Sequence, residues 1–352
     1  MNTTQDNAPL PIAIVGLGFG RWIVRGLQEE KMKKLFRVVA LCDLDTAKAE
    51  EISKEIGGVR IATLDELLAD PAVPVIGLFT GPAGRAEMLR KIIRAGKHVM
   101  TTKPFERDPE AVRPLFEEAA KLGKVIHLNS PAPVLPDDLA CIRDWQQKYN
   151  LGRPVSAQIA TWVRYNEEPT GNWLDDPALC PVAPIFRIGI YLINDAIELF
   201  GEADEVQVMS SRLFTKRPTP DHAQLSIRFK NGGLVSILAS FCINDADCYR
   251  NALTLNFENG TVYRNAGAES KAGSPGANLS VVIAQDNKPV RVDNAKFDEV
   301  SGLYEWSALR EAILTGKPPG VDYADKISAG LRVIEAMAES EKIGRPVKIK
   351  AV

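Results

Sequence analysis

The sequence predicts an α/β chain, with a doubly wound parallel sheet in its first third and then an α+β region built on a large, mostly antiparallel open sheet. Three observations carry this. The N-terminal part alternates short, β-branched apolar runs with amphipathic helical patterns, as strands buried on both faces do. From about Pro154 long strand patterns follow one another directly, with hairpin signals between them. The 352 residues, 45% hydrophobic and 25% charged, have the make-up of a globular chain of about two domains.

Element by element, IAIV (12–15) reads as the first strand, followed by a glycine loop and the helix RWIVRGLQEEKMKKL. RVVALC (37–42) leads into the helix DTAKAEEISKEI, PVIGLF (74–79) into AGRAEMLRKIIRAG, and KHVM into DPEAVRPLFEEAAKLG. VIHLN (125–129) closes the series. Right-handed crossovers between parallel strands make this a doubly wound domain, expected over 8–130. The second domain, expected over 131–352, has the strands VSAQIATWV, EVQVMSSRLF, AQLSIRF, GLVSILASF, ALTLNF and LSVVIA. Lys230-Asn231-Gly232-Gly233 and Glu258-Asn259-Gly260 read as hairpin turns. One helix, IFRIGIYLINDAIELFG, interrupts the strands, and LYEWSALREAILTG and ADKISAGLRVIEAMAESEKIG end the chain. The last of these is a candidate to pack back on the first domain. The stretch around 265–278 reads as a loop. Within VSILASF both alternating sets of positions include apolar residues, as in a strand buried on both sides, which predicts a dimer or tetramer formed through this sheet.

The formal charge is −2, which argues against a broad nucleic-acid surface. No apolar run reaches the roughly 18 residues of a membrane helix. MNTTQDNAPLP lacks the basic and apolar regions of a signal peptide. Cys42, Cys141, Cys180, Cys242 and Cys248 include no C-x-x-C pair, and histidines are few, so neither a disulfide framework nor a zinc site is expected. The expectation is a cytoplasmic, metal-free protein.

Gly16-Leu17-Gly18-Phe19-Gly20-Arg21 lies between a strand and a helix, where a dinucleotide fingerprint belongs. Gly16 permits the tight turn, Gly18 lets the backbone approach a pyrophosphate, and the helix N-terminus faces the negative charge. The usual third glycine would fall on Arg21; here it comes one residue early, at Gly20. Asp43 ends the second strand, where a carboxylate accepts hydrogen bonds from the adenosine ribose and repels a 2′-phosphate. The expected cofactor is therefore NAD, with NADP disfavoured, and the domain a Rossmann domain. The competing reading makes Asp43 a cap for the helix that starts near Asp45.

With Thr80-Gly81-Pro82, the run AGKHVMTTKPF, the helix RIGIYLINDAIELFG and the ending EAILTGKPP…AGLRVIEAMAESEKIGRPVKI, the chain resembles the glucose–fructose oxidoreductase / inositol dehydrogenase / MocA family of NAD(P)-dependent oxidoreductases. The resemblance implies a Rossmann domain, a C-terminal domain whose open sheet serves self-association, and oxidation of a sugar or polyol hydroxyl or the reverse reduction. It matches Lys103 to the lysine of the family's Glu-Lys-Pro motif, near the nicotinamide and the reacting hydroxyl; Thr102 replaces the glutamate. Against a second motif, Asp-x-Gly-x-His-x-x-Asp, it sets Arg187, Gly189, Tyr191 and Asn194. Tyr191 falls on the acid/base position, and Arg187 departs most from the pattern. The implied cofactor contacts are Gly16, Gly18, Phe19, Gly20, Arg21, Asp43, Thr80, Gly81, Pro82, Lys103 and Asn129.

Hydride transfer leaves a hydroxyl proton to be removed or an alkoxide to be protonated. A tyrosine does this when nearby cations favour its phenolate. Arg187, four residues before Tyr191, and Asn194, three after it, share its face on a helix. Lys103 and Tyr191 can thus divide proton transfer and polarisation of the substrate oxygen, while Arg187 tunes Tyr191 or grips an anionic part of the substrate. Trp173, in Gly171-Asn172-Trp173-Leu174-Asp175-Asp176, can stack on a sugar face. Each residue also has a plainer reading: Tyr191 as core, Arg187 as an ion-pair residue, Lys103-Pro104 as a turn, Trp173 as a loop anchor. By the logic of the fold Arg85 lies near the nicotinamide end of the cofactor crevice, but it reads first as a solvated helix charge; His98 and His127 read as structural. The expected function is oxidoreduction of a sugar, polyol or sugar acid. The alternative is a degenerate NAD-binding sensor or interaction protein.

Overall fold

The computed structural model describes residues 8–165, 167–246, 249–267, 276–298 and 302–350. Cys248, the centre of the polar 265–278 stretch and the first seven residues lie outside the described residues. In chain order the first elements are β1 (Leu10–Val15), α1 (Leu17–Gly26), α2 (Glu30–Lys33), β2 (Phe36–Cys42), α3 (Thr46–Glu55), β3 (Arg60–Ile61), α4 (Leu64–Ala69), β4 (Val75–Leu78), α5 (Arg85–Arg94), β5 (His98–Thr101), α6 (Val112–Lys121) and β6 (Ile126–Leu128). Then come α7 (Asp137–Lys148), β7 (Pro154–Trp162), α8 (Ile190–Phe200), β8 (Ala203–Ser211), β9 (His222–Phe229), β10 (Leu234–Ser240), β11 (Ala252–Phe257), β12 (Gly260–Arg264), β13 (Ala277–Gln285), β14 (Lys288–Phe297), α9 (Trp306–Thr315), α10 (Val321–Ile343) and β15 (Val347–Lys348).

The chain divides into two units. The first takes residues up to Val134 and, from much later in sequence, Tyr304–Asp325; the second takes Leu135–Leu303 and everything from Lys326. The sequence reading had one cut, at 130/131, and offered the last helix as the returning element. The returning piece is α9 together with the first turn of the last helix, α10: Trp306 and Leu309 join the core around Ile12, Ile14, Phe36 and Leu41, and the Tyr323 ring of α10 meets Phe116 edge-on, 5.5 Å between centroids. The Trp306 ring meets Phe36 edge-on, 5.3 Å between centroids.

The first unit holds a six-stranded sheet in the order β3-β2-β1-β4-β5-β6, every pair parallel. Apart from the exposed edge strand β3, its strands are largely buried apolar runs, Val75–Leu78 completely so. The order reverses direction between β1 and β4, which opens a crevice beyond their carboxyl ends. The helix expected from Arg21 to Leu35 differs in two ways. It starts earlier, at Leu17, and it breaks after Gly26, the residue in that stretch with the weakest helix propensity, before the short α2. The elements β3, α4 and α7 add to the pattern read from the sequence. α4 carries a full capping box between Thr63 and Glu66.

The second unit is a nine-stranded sheet, β14-β13-β12-β11-β7-β10-β9-β8-β15, antiparallel except where β10 runs parallel to β7. Both expected hairpins form, joining β9 to β10 and β11 to β12. One face is apolar and buried: Ile159, Leu225, Ile227, Val235, Ile237, Leu253 and Leu255, with Leu192, Ile193 and Ala196 of α8 also in the core. The other face is mixed. Leu234 (58% exposed) and Met209 (77% exposed), with Leu238 beside Ala160, lie among Ser236, Gln224, Ser226, Arg228 and Gln207, so the outward set of VSILASF has both apolar and polar neighbours. Among the described residues no helix is long and apolar enough to cross a membrane, and no cluster of metal-ligating side chains occurs.

Candidate active site

At the end of β1 the chain turns at Gly16, whose φ is +86°. A Cβ there would stand 2.9 Å from the backbone carbon and oxygen of Phe79, at the end of β4, so only glycine fits. Gly18 opens on free space, with no heavy atom within 4 Å of a Cβ built on it. A Cβ on Gly20 would stand 3.1 Å from the Ile14 side chain, so this glycine allows the close helix-to-strand packing that the third fingerprint glycine serves. Asp43, at the end of β2, accepts from the Leu17 N–H (2.6 Å) and the Asp45 N–H (2.9 Å). It does not cap α3; Asp45 does, accepting from the Lys48 N–H. Each Asp43 oxygen keeps a second lone pair for a hydroxyl donor. The Thr80 hydroxyl is buried and has no hydrogen-bond partner among the described residues.

These groups fit a dinucleotide: an open glycine backbone at a helix N-terminus, a carboxylate at the second strand end, and an unsatisfied hydroxyl at the fourth. Arg21 is exposed, its guanidinium 5.7 Å from the centroid of the Trp22 ring. Phe19 is 47% exposed, with Phe79 and Tyr304 as ring neighbours.

Past β5 the chain forms the turn that carries Lys103. The Lys103 N–H donates to the side-chain oxygen of the buried Asn129, just past β6 (3.1 Å). The Tyr304 hydroxyl donates to Thr102 Oγ1 (2.7 Å). Arg85 corrects the sequence reading outright. It is no solvated charge but is 2% exposed, its guanidinium donating to backbone carbonyls on either side of Lys103. Burial draws its pKa down to about 10, so it stays cationic at neutral pH. His98 and His127 lie in β5 and β6, and burial lowers the pKa of each to about 4.

In the second unit the helix IFRIGIYLINDAIELFG is not regular. Its first turn, Ile185–Gly189, is π-helical and continues into α8. The four-residue spacing from Arg187 to Tyr191 therefore lacks the α-helical register assumed from sequence. Arg187 forms a bidentate pair with Glu167 (2.7 and 2.9 Å) and lies 4.7 Å from the ring centroids of both Tyr165 and Phe241. Glu167 also accepts from Arg217 (3.1 Å), which in turn pairs with Asp175. Burial opposes ionisation of Glu167, yet the two guanidinium groups hold its carboxyl below the usual range.

Tyr191 is half-buried on α8, its ring against Gly302, where a Cβ would come within 2.6 Å of it. Asn194 is buried beside Gly330 of α10 in the same way. Trp173 packs edge-on against Phe186 in a loop closed by Asp175 and Asn172, which agrees with an anchoring role. Sequence reasoning missed Glu167, Arg217, Tyr304, and the buried triad of Arg264 with Asp138 and Asp195. No local motif marks these residues, since their partners are distant in sequence.

Residues 10–130 match a family model described as "Oxidoreductase family, NAD-binding Rossmann fold", and residues 140–263 match the "GFO/IDH/MocA C-terminal domain". An uncharacterized oxidoreductase of Schizosaccharomyces pombe is 26% identical over 60% of this chain and 57% of its own, so the chain spans little more than half of that relative. The scyllo-inositol 2-dehydrogenase (NADP(+)) of Bacillus subtilis is 22% identical over 97% of this chain and 96% of its own. The structure of a putative NADPH-dependent oxidoreductase from Desulfitobacterium hafniense shares the fold, with TM-score 0.77 and 19% identity over 97% and 98% of the two chains. The fingerprint turn, the Lys103 turn and matches to both domain models together mean that this chain belongs to the glucose–fructose oxidoreductase / inositol dehydrogenase / MocA family of oxidoreductases.

Proposed function

We propose that this protein is an NAD-dependent oxidoreductase that interconverts a hydroxyl and a carbonyl on a sugar, polyol or sugar acid. The observation that carries this is the convergence of Gly16, Gly18, Asp43, Thr80 and the Lys103 turn at the carboxyl ends of one parallel sheet. A nicotinamide dinucleotide supplies the hydride acceptor or donor. Gly16, Gly18, Phe19, Gly20, Arg21, Thr80, Gly81, Pro82 and Asn129 bind it in this reading, and Asp43 selects the unphosphorylated ribose. Two of the relatives above carry NADP or NADPH in their names, so the preference for NAD rests on Asp43 alone. Lys103 polarises the reacting oxygen and Tyr191 moves its proton. Arg187, Asn194 and Trp173 complete the substrate contacts. Because Glu167 already answers the charge of Arg187, this arginine offers hydrogen bonds rather than net charge, which favours a neutral sugar or polyol over an acid. Self-association through the open face of the nine-stranded sheet completes the proposal; light scattering tests it, and a monomer at micromolar concentration contradicts it.

Calorimetric titration of NAD and NADP, followed by absorbance at the nicotinamide band with a panel of sugars and polyols, tests the central reading. NAD should bind at least tenfold tighter, and at least one neutral polyol or sugar should turn over. Equal affinities remove Asp43 from its role. Tight NAD binding with no turnover in either direction favours the sensor.

A further inference from the structure

Arg85 opens α5, and its side chain is buried against main-chain carbonyls. It donates to the oxygens of Thr102 (2.5 Å), Phe105 (3.2 Å), Pro104 and Thr80. A guanidinium is a rigid planar fork, and backbone carbonyls are fixed acceptors. Its two terminal nitrogens are therefore satisfied only while these carbonyls keep one arrangement, and the buried Nε has no partner among the described residues. Thr102 and Pro104 flank Lys103 directly, and Thr80 belongs to the stretch assigned to the cofactor. The grip is returned from the other side: Glu106, 5% exposed, accepts from the N–H groups of Gly84 (3.2 Å) and Ala86 (2.8 Å), the two neighbours of Arg85. Its carboxylate thus also occupies donors at the N-terminal end of α5. Burying a cation is costly unless its donors are well used, and a helix in need of surface charge would leave it in water.

We infer that Arg85, together with Glu106, is a positioning residue: the two side chains lock residues 80–86 and the 102–106 turn to each other and so fix where Lys103 stands. The inference rests on the reading of Lys103 as a participant in the reaction. A displacement of about 1 Å in a reacting group can cost about a hundredfold in rate, so the lock has functional weight.

The test uses the full chain as Arg85→Met, Glu106→Gln and Lys103→Ala. Hydrogen exchange by mass spectrometry follows peptides spanning 97–107, with β1 as an internal control. NADH binding is read by fluorescence, and turnover is measured on a neutral polyol or sugar accepted by the wild type. In Arg85→Met, exchange over 97–107 should rise at least tenfold while β1 stays as in wild type. Its kcat should fall at least tenfold, with KM and the NADH Kd within threefold. Glu106→Gln, which keeps one accepting oxygen, should move both readouts the same way by less; it decides the matter if Arg85→Met does not fold. Unchanged exchange overturns the inference, as does a loosened turn with wild-type kcat while Lys103→Ala is inactive. If Lys103→Ala itself turns over at the wild-type rate, the reading of Lys103 falls and the positioning role with it, whatever the exchange shows.

Discussion

Replacing Arg264 by methionine should cost the second unit about 4 kcal/mol of stability. Arg264 ends β12 with its side chain completely buried. It donates to Asp138 Oδ2 (2.7 Å), Asp195 Oδ2 (2.8 Å) and the side-chain oxygen of Asn251. Asp138 lies in the first turn of α7 and Asp195 in α8, so this one guanidinium ties two helices to the sheet. Two charge-assisted hydrogen bonds at ~1.5–3 kcal/mol each give ~3–6 kcal/mol. That range overlaps the ~3–5 kcal/mol typical of removing one partner from a buried ion pair. Methionine fills much of the volume but leaves two carboxylates buried without their counter-charge. Urea unfolding at pH 7, monitored by fluorescence and fitted for two units, reads the loss. Turnover should fall too, because Asp195 follows Asn194 on the helix that carries Tyr191. The triple variant Arg264→Met, Asp138→Asn, Asp195→Asn removes the stranded charges and should recover at least ~1 kcal/mol of the deficit. A loss below ~1 kcal/mol in Arg264→Met would refute the idea that the triad organises this unit.

Asp43→Ala strips the acceptor from Leu17 N–H and Asp45 N–H and, in the proposed role, from the ribose; calorimetry should show NAD affinity down about tenfold or more and the NAD/NADP discrimination reduced, since a charge-assisted bond is worth ~1.5–3 kcal/mol. His98 and His127 have folded pKa values near 4, below the ordinary 6.5, so the unfolded chain binds more protons between these limits. Stability should hold level above about pH 7 and fall as pH drops from about 6.5 toward 4, by up to ~3 kcal/mol for His127; urea midpoints against pH measure this, and imidazole resonances that titrate near 6.5 would contradict it. Arg187→Met leaves Glu167 with Arg217 only; steady-state kinetics should show a similar rise in KM for neutral and acidic sugars, whereas a rise confined to acids would mean that Arg187 grips an anion.

The parallel strands of the first unit other than β3 were legible because they are short, β-branched apolar runs that alternate with amphipathic helices; β3, exposed Arg60–Ile61, leaves no such run. Gly16 and Asp43 were legible for a related reason, since a positive φ and a strand-end carboxylate follow from local position. Arg85 was misread because the same periodicity that placed it on a helix cannot show that the 102–105 carbonyls fold over it. The π-turn at Ile185–Gly189 escaped for a similar reason: an extra residue in a helical turn leaves the apolar spacing nearly intact while changing which side chains meet. Glu167, Arg217 and the Arg264 triad depend on pairings between residues far apart in sequence, and charge alone does not separate a buried partner from a solvated one. The open sheet face was read from β10 alone, where Leu238 marks the outward set of VSILASF; its mixed neighbours, Ala160 and Met209 on one hand and Gln224, Ser226 and Arg228 on the other, come from strands that only the fold brings beside it.

The most direct test of the central claim is single-turnover hydride transfer in Tyr191→Phe, measured at the nicotinamide band with a substrate that the wild type accepts. Loss of the phenolic proton carrier should slow the chemical step by about a hundredfold or more, the scale of general acid–base groups, while NAD affinity stays within about threefold of wild type. A wild-type rate of hydride transfer in Tyr191→Phe would contradict the account.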